Sequence, residues 1–249
     1  VSNEWAVVAG ASGALGRTIV DRLLARGLGV VAIGRTLATL EETAAGRDGV
    51  VACVADITTD AGAAAVGECL PGPVRMVVNS AAAPMGGGIL DVEPGVLLDA
   101  VDVKVNGTLR LVRATLERLV VDGRIVAIGG NLGYDPIPEA ATAGVGNAAL
   151  ANAMRQLSHA LGPRGVTVNI VAPGPVWTER LQRLLRDAAA ERGVSEEVVV
   201  EEFRARSPIG HLTTIDEVAW AVALLADPEA RAIAGNTLIL DAGQRTFVL

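Results

Sequence analysis

The chain has 249 residues, a net charge of −7, 51% hydrophobic residues and only 2% aromatic ones. That length suits one α/β domain with a core of Val, Leu, Ile and Ala, and the acidic balance leaves no basic excess for a nucleic-acid partner. Two histidines exclude a histidine-rich metal site, and no apolar run is long enough to cross a bilayer.

No basic stretch precedes an apolar region at the start of VSNEWAVVAG, so no signal peptide is read there. Cys53 and Cys69 lack metal-like spacing and read as reduced thiols. A cytoplasmic protein without bound metal, membrane contact or nucleic-acid partner is expected.

Short β-branched runs at 5–9, 29–33, 50–54, 74–78, 124–128, 166–171 and 236–240 read as strands. Most are continuous apolar runs, as expected of strands covered on both faces. Helical patterns lie between them; in 18–26, Ile19, Leu23 and Leu24 form one stripe. This alternation implies βαβ units with right-handed crossovers. The expected architecture is a doubly wound Rossmann fold, a single domain over 1–249 with about seven parallel strands and helices on both faces.

The first strand runs into AGASGALGR and then a helix. Such a turn brings backbone N–H groups and a helix N-terminus against a pyrophosphate. Gly10 permits the tight turn, Gly13 the close approach and Gly16 the packing of helix on strand, with Ser12 and Leu15 between them. At the end of the second strand, where an acid would bond a ribose 2′-hydroxyl, stand Gly34, Arg35 and Thr36. A guanidinium with no adjoining carboxylate in the sequence suits a 2′-phosphate. NADP(H) is therefore favoured over NAD(H). An ordinary exposed loop arginine is the bland alternative.

Nearly the whole chain resembles the short-chain dehydrogenases/reductases, though with departures. Their glycine turn usually reads Thr-Gly-x-x-x-Gly-x-Gly; here Ala9 replaces the threonine and Ala14 the middle glycine. Asp56-Ile57 matches the family's adenine contact, and Asn79-Ser80-Ala81-Ala82 stands where the family has Asn-Asn-Ala-Gly. The resemblance implies that Asn79 braces the sheet at the crevice. It also implies that Pro173, Gly174, Val176 and Thr178, within PGPVWT, hold the carboxamide and phosphates. DAGQ at 241–244 resembles the family's Asp-Gly-Gly.

The catalytic half departs more deeply. GRIVAIGGNLGYDPIPEAATAGVGNAAL at 123–150 aligns with the segment where the family has a serine and a Tyr-x-x-x-Lys pair. Gly130, Ala143 and Asn147 occupy those positions. DVKVNGT at 102–108 puts Lys104 at the family's catalytic asparagine. Asn106 does not stand in for it, because two residues along a helix turn a side chain about 200° away. The chain has one tyrosine, Tyr134, and one lysine, so no shift of register restores the pair.

In the family, the tyrosine gives a proton to the developing alkoxide, and losing a general acid costs about 10²–10⁴-fold in rate. Three substitutes are open: Lys104 as acid or oxyanion stabiliser, Tyr134 from the loop, and Asn147 as a ribose or substrate contact. Asn131 and Asp135 are weaker candidates. A structural cation for Lys104, a pocket cap for Tyr134 and simple packing for Asn147 compete with these roles.

The expected activity is an atypical NADP(H)-dependent ketoreduction of a conjugated or polycyclic carbonyl, which delocalises charge after hydride attack. A non-redox enzyme (isomerase, cyclase or dehydratase) on the same scaffold, or a silent nucleotide-binding protein, is the alternative. The charged stretch 178–208 reads as amphipathic helices forming a substrate lid or a solvated face. The resemblance also implies a homodimer or homotetramer, through helices at about 95–119 and 142–162. The apolar Phe247-Val248-Leu249 is expected to dock on a neighbour or on the chain's own core.

Overall fold

The computed structural model describes residues 3–246, so the apolar tail at 247–249 lies outside the described residues. Seven parallel strands form one sheet in the order β3-β2-β1-β4-β5-β6-β7. They are β1 (Trp5–Ala9), β2 (Gly29–Gly34), β3 (Val50–Val54), β4 (Val74–Asn79), β5 (Leu119–Ile128), β6 (Thr167–Pro173) and β7 (Thr237–Leu240). The order reverses between β1 and β4, which opens a crevice beyond their carboxyl ends.

Alternate residues of each strand feed two cores, which is why the strands read as unbroken apolar runs. Val7, Val31 and Ile125 point to one core, and Ala6, Val8, Val30 and Val126 to the other. The first core also takes up Leu111, Leu150 and Met154 from α5 (Gly107–Thr115) and α6 (Ala141–Leu161). The second is closed by Ile19, Val20 and Leu23 of α1 (Ala14–Leu24) and Val218 and Val222 of α9 (Ile215–Leu224). The remaining helices are α2 (Leu37–Ala44), α3 (Asp60–Glu68), α4 (Pro94–Val101), α7 (Glu179–Arg192) and α8 (Glu196–Arg204).

Two features depart from the sequence reading. The helix expected over 95–119 is interrupted: α4 and α5 are joined by a π-helical turn, Asp102–Asn106, and β5 begins at Leu119. A π-turn widens the helix and re-aims the side chains on it, and Lys104 sits at its centre. Strand β5 also starts earlier than 124. Its pairing with β4 jumps from Leu119 to Arg124, so residues 120–123 bulge, with Asp122 at φ 60°.

Helices α7 and α8 pack mainly on each other. Leu185, Ala189 and Val199 make a small third core with Trp177, Leu181 and Phe203, separate from the two beneath the sheet. Among the described residues no helix is long and apolar enough to cross a membrane, and no His, Cys, Asp and Glu cluster could hold a metal.

Candidate active site

The crevice is built from strand ends, and its nucleotide side rests on space that only glycine leaves. Gly10 takes φ 74°, and a Cβ there would lie 2.8 Å from the backbone of Ala81. A Cβ on Gly16 would sit 2.1 Å from the Gly10 carbonyl, so α1 could not approach β1. Gly13 is the N-cap of α1 and provides no side-chain cap, and a Cβ on it would meet only the Gly10 carbonyl, at 3.5 Å. The uncapped first turn therefore presents its amides on an open side, which suits a pyrophosphate. Leu15 packs into the core below.

At the end of β2, a Cβ on Gly34 would come within 3.4 Å of Ser12 Oγ, which places that hydroxyl at the end of β2 that leads into Arg35. Arg35 is exposed and has no ion pair within 4.0 Å among the described residues. No carboxylate among the described residues pairs with it, though its charge acts on Asp56. The Asp56 carboxyl lies below the ordinary carboxylate range, chiefly through the hydrogen bonds of the Thr58 amide and hydroxyl to Oδ1, with Arg35 and Arg110 adding to this. Ile57 is buried against Gly107 at the start of α5. The glycine cradle and the exposed Arg35 thus lie on the same side of the crevice.

Asn79 ends β4 and braces three segments. Its Nδ2 donates to Thr108 Oγ1 (2.8 Å) and the Val103 carbonyl (3.2 Å), and its Oδ1 accepts from the Ala81 amide (3.0 Å). Thr108 in turn donates to the Lys104 carbonyl at 2.6 Å. Thr108 was not singled out from sequence; the Gly-Thr that follows the π-turn is its only signal. On the other wall, the Gly174 amide donates to Leu240 O, Val176 bridges to Thr213, and Thr178 caps α7 by accepting from the Leu181 amide. Pro173 is buried at the end of β6.

Lys104 lies on the π-turn before α5 and Asn147 on α6. The Lys104 ammonium reaches across to donate to the Ile128 carbonyl (2.7 Å) at the end of β5, two residues before Gly130. The surface of Lys104 is only partly covered, but its ammonium end lies deep, and burial pulls its pKa down to about 8.

Asn147 is buried, and its Nδ2 would lie 2.8 Å from a Cβ on Gly130. The amide occupies the space a serine side chain would take, so the glycine and the asparagine imply each other. Asn147 Oδ1 is buried with no hydrogen-bond partner, an arrangement costly to leave unmet. Ala143 is half-buried on the same helix and offers no proton.

Tyr134 does not join this group. Its hydroxyl bonds Thr237 Oγ1 on β7 at 2.6 Å and its ring packs on the α6-side core, so its proposed donation into the cleft is not supported by the arrangement. Burial raises its pKa, with the Thr237 bond opposing. Asn131 opens a short 3₁₀ turn and accepts through its carbonyl from the amides of Tyr134 and Asp135. The two cysteines face each other between β3 and α3. Cys53 is pushed up to about 12 by burial and then by the neighbouring Cys69 thiol.

Comparison with known proteins gives the family of the chain and agrees with its fold. The family model described as Enoyl-(Acyl carrier protein) reductase matches residues 10–245. The short-chain reductase protein NovJ of Streptomyces niveus is 32% identical, covering 96% of this chain and 93% of its own. The 3-oxoacyl-[acyl-carrier-protein] reductase FabG of Salmonella typhimurium is 30% identical, covering 96% of each. Among solved structures, a variant actinorhodin polyketide ketoreductase with NADPH superposes with TM-score 0.89 at 29% identity over 98% of each chain. An NADPH-bound short-chain oxidoreductase from Pseudomonas aeruginosa PAO1, described as containing an atypical catalytic center, gives 0.88 at 23% identity over 98% of each, a likeness of fold.

Proposed function

The chain belongs to the short-chain dehydrogenase/reductase family and is a reductase of that type; from that premise we propose that it is an NADP(H)-dependent ketoreductase in which Lys104 replaces the missing proton machinery. The observation that carries this is the pairing of a kept nucleotide cradle with a reciprocal exchange at the catalytic positions. By the resemblance, a cation stands on the π-turn where the family has an amide, and an amide stands on α6 where the family has a cation; Lys104 and Asn147 are those residues.

NADPH would supply the hydride when bound at the glycine turn, with its 2′-phosphate beside Arg35, Ser12 and Thr36. The chain's own residues then have to meet the charge on the carbonyl oxygen. Lys104 commits one N–H to Ile128 and keeps two, and with a pKa near 8 it is both mostly protonated at neutral pH and a competent acid. Asn147 brings an unpaired acceptor that a ribose or substrate hydroxyl can satisfy. Gly130 and Ala143 supply neither a hydroxyl nor a phenol. A pocket whose proton donor is a single lysine, without phenol or serine hydroxyl, suits a quinone or polycyclic conjugated ketone, whose reduced form spreads its charge and needs less proton assistance.

The α7–α8 pair, with its own small core, is suited to act as a lid over the substrate. The faces of α4 and α6, with exposed Leu98 and Val145, suit a homodimer or homotetramer.

The test is a fluorescence titration with NADPH and NADH, followed by turnover with the better ligand against a quinone and polycyclic ketone panel. Transfer of deuterium from labelled NADPH to product is expected, and K104M should lose most of it. Binding without oxidation across the panel would leave a silent nucleotide-binding protein. No binding of either nucleotide at millimolar concentration would remove the proposal altogether.

A further inference from the structure

At the opposite end of the sheet from the nucleotide crevice lies a cavity of about 450 Å³ lined by Arg26, Arg75, Arg124 and Arg231 together with Glu4, Asp122 and Asp227. Three of the arginines are matched. Arg75 grips Glu4 through two bonds of 2.7 Å, Arg26 pairs with Asp227, and Arg231 reaches Asp122 at 3.1 Å. Arg124 is not matched. It is 3% exposed, has no carboxylate within 4.0 Å among the described residues, and donates to backbone carbonyls alone. Nε goes to Leu225 at the end of α9, and Nη1 to Asp122 and Gly123 in the β5 bulge. Nη2 makes no hydrogen bond to protein among the described residues, and Arg124 lines the cavity.

A buried guanidinium without a counter-charge is costly. Burial, followed by repulsion from Arg75 and Arg231, works against its charged form, with Asp122 opposing. The local backbone is also held in an unusual state: Asp122 sits at φ 60°, with a buried Oδ1 that makes no hydrogen bond of good geometry. Four guanidiniums face three carboxylates already held by arginine partners, so the uncompensated charge in this cavity is positive.

We propose that this cavity binds a small phosphate-type oxyanion, free or as the phosphate of a small metabolite, held by Arg124 and the exposed side of Arg231. Guanidinium forks donate paired, charge-assisted bonds to tetrahedral oxyanions, and the cavity is large enough for a phosphate with room beside it. The site is independent of the redox reading, because it involves none of the strand carboxyl ends.

The experiment is the melting temperature of the apo protein titrated with inorganic phosphate at pH 7, ionic strength being held with sodium chloride. A saturable rise is expected, since a ligand that binds only the folded state stabilises it by mass action. R231Q, altered at a side chain 65% exposed, should still fold and should bind phosphate roughly tenfold more weakly, the loss expected for one charge-assisted contact. R35Q should leave the rise unchanged, which separates this cavity from the 2′-phosphate cradle. R124Q should abolish the effect; if it fails to fold, R231Q carries the test. A rise lost in R35Q but kept in R231Q, a non-saturating salt effect, or no rise at all would each overturn the proposal.

Discussion

Replacing Lys104 by methionine keeps the apolar stem and removes the ammonium, and the consequence to measure is the pH dependence of stability. In the fold the pKa of Lys104 is about 8, against 10.5 for a free lysine. Below pH 8 both folded and unfolded chains hold the proton, and the fold bears the full cost of the buried charge. Between 8 and 10.5 the unfolded chain binds more protons, so stability rises with pH; above 10.5 the cost is gone. The full cost is on the order of 3 kcal/mol. Between pH 7 and 9 the wild type should gain about 1.3 kcal/mol on K104M, and about 2.5 kcal/mol by pH 10. Loss of the bond to Ile128 and any change in packing offset the curve by a constant and leave its slope alone. Urea unfolding of both proteins at pH 7, 8, 9 and 10 gives the difference directly. A difference that does not change with pH would show that the ammonium is hydrated and titrates as an ordinary lysine. Its role as a neutral-pH acid would fall with that result.

Three further outcomes follow from the site. R35Q should weaken NADPH binding by about tenfold to a hundredfold, the worth of the lost charge-assisted bonds, and leave NADH nearly unchanged in a fluorescence titration; equal losses for both nucleotides would refute the assignment. G130S should destabilise the protein by about 1–3 kcal/mol through overpacking against the Asn147 amide, with recovery in G130S/N147A by chemical denaturation. A neutral G130S would show that the amide is not wedged there. Y134F should cost about 1 kcal/mol of stability through the lost bond to Thr237, with little effect on deuterium transfer. A large loss of transfer would return the phenol to the chemistry.

Much of this was legible in the chain because local rules govern it. Seven apolar runs separated by amphipathic segments leave few arrangements other than a parallel sheet covered on both faces. Gly10 and Gly16 announce a turn in which a Cβ has nowhere to go. The absence of a Tyr-x-x-x-Lys pair follows from counting one tyrosine and one lysine. What packing alone decided concerns direction and reach. That Tyr134 turns to Thr237 depends on β7, about a hundred residues away. That Asn147 fills the space above Gly130 depends on how α6 lies against the loop after β5. The π-turn that carries Lys104 to Ile128 is bonded by Asn79 and Thr108 through the Val103 and Lys104 carbonyls, and no periodicity in the α4–α5 segment predicts it. The arginine cavity joins the β1–β2 region, the β5 bulge and the end of α9, which meet only when the sheet closes. Composition and spacing determine which elements form and which chemical groups the chain lacks. Where the remaining groups point is decided by long-range contacts, because a side chain's direction depends on neighbours that sequence distance does not reveal.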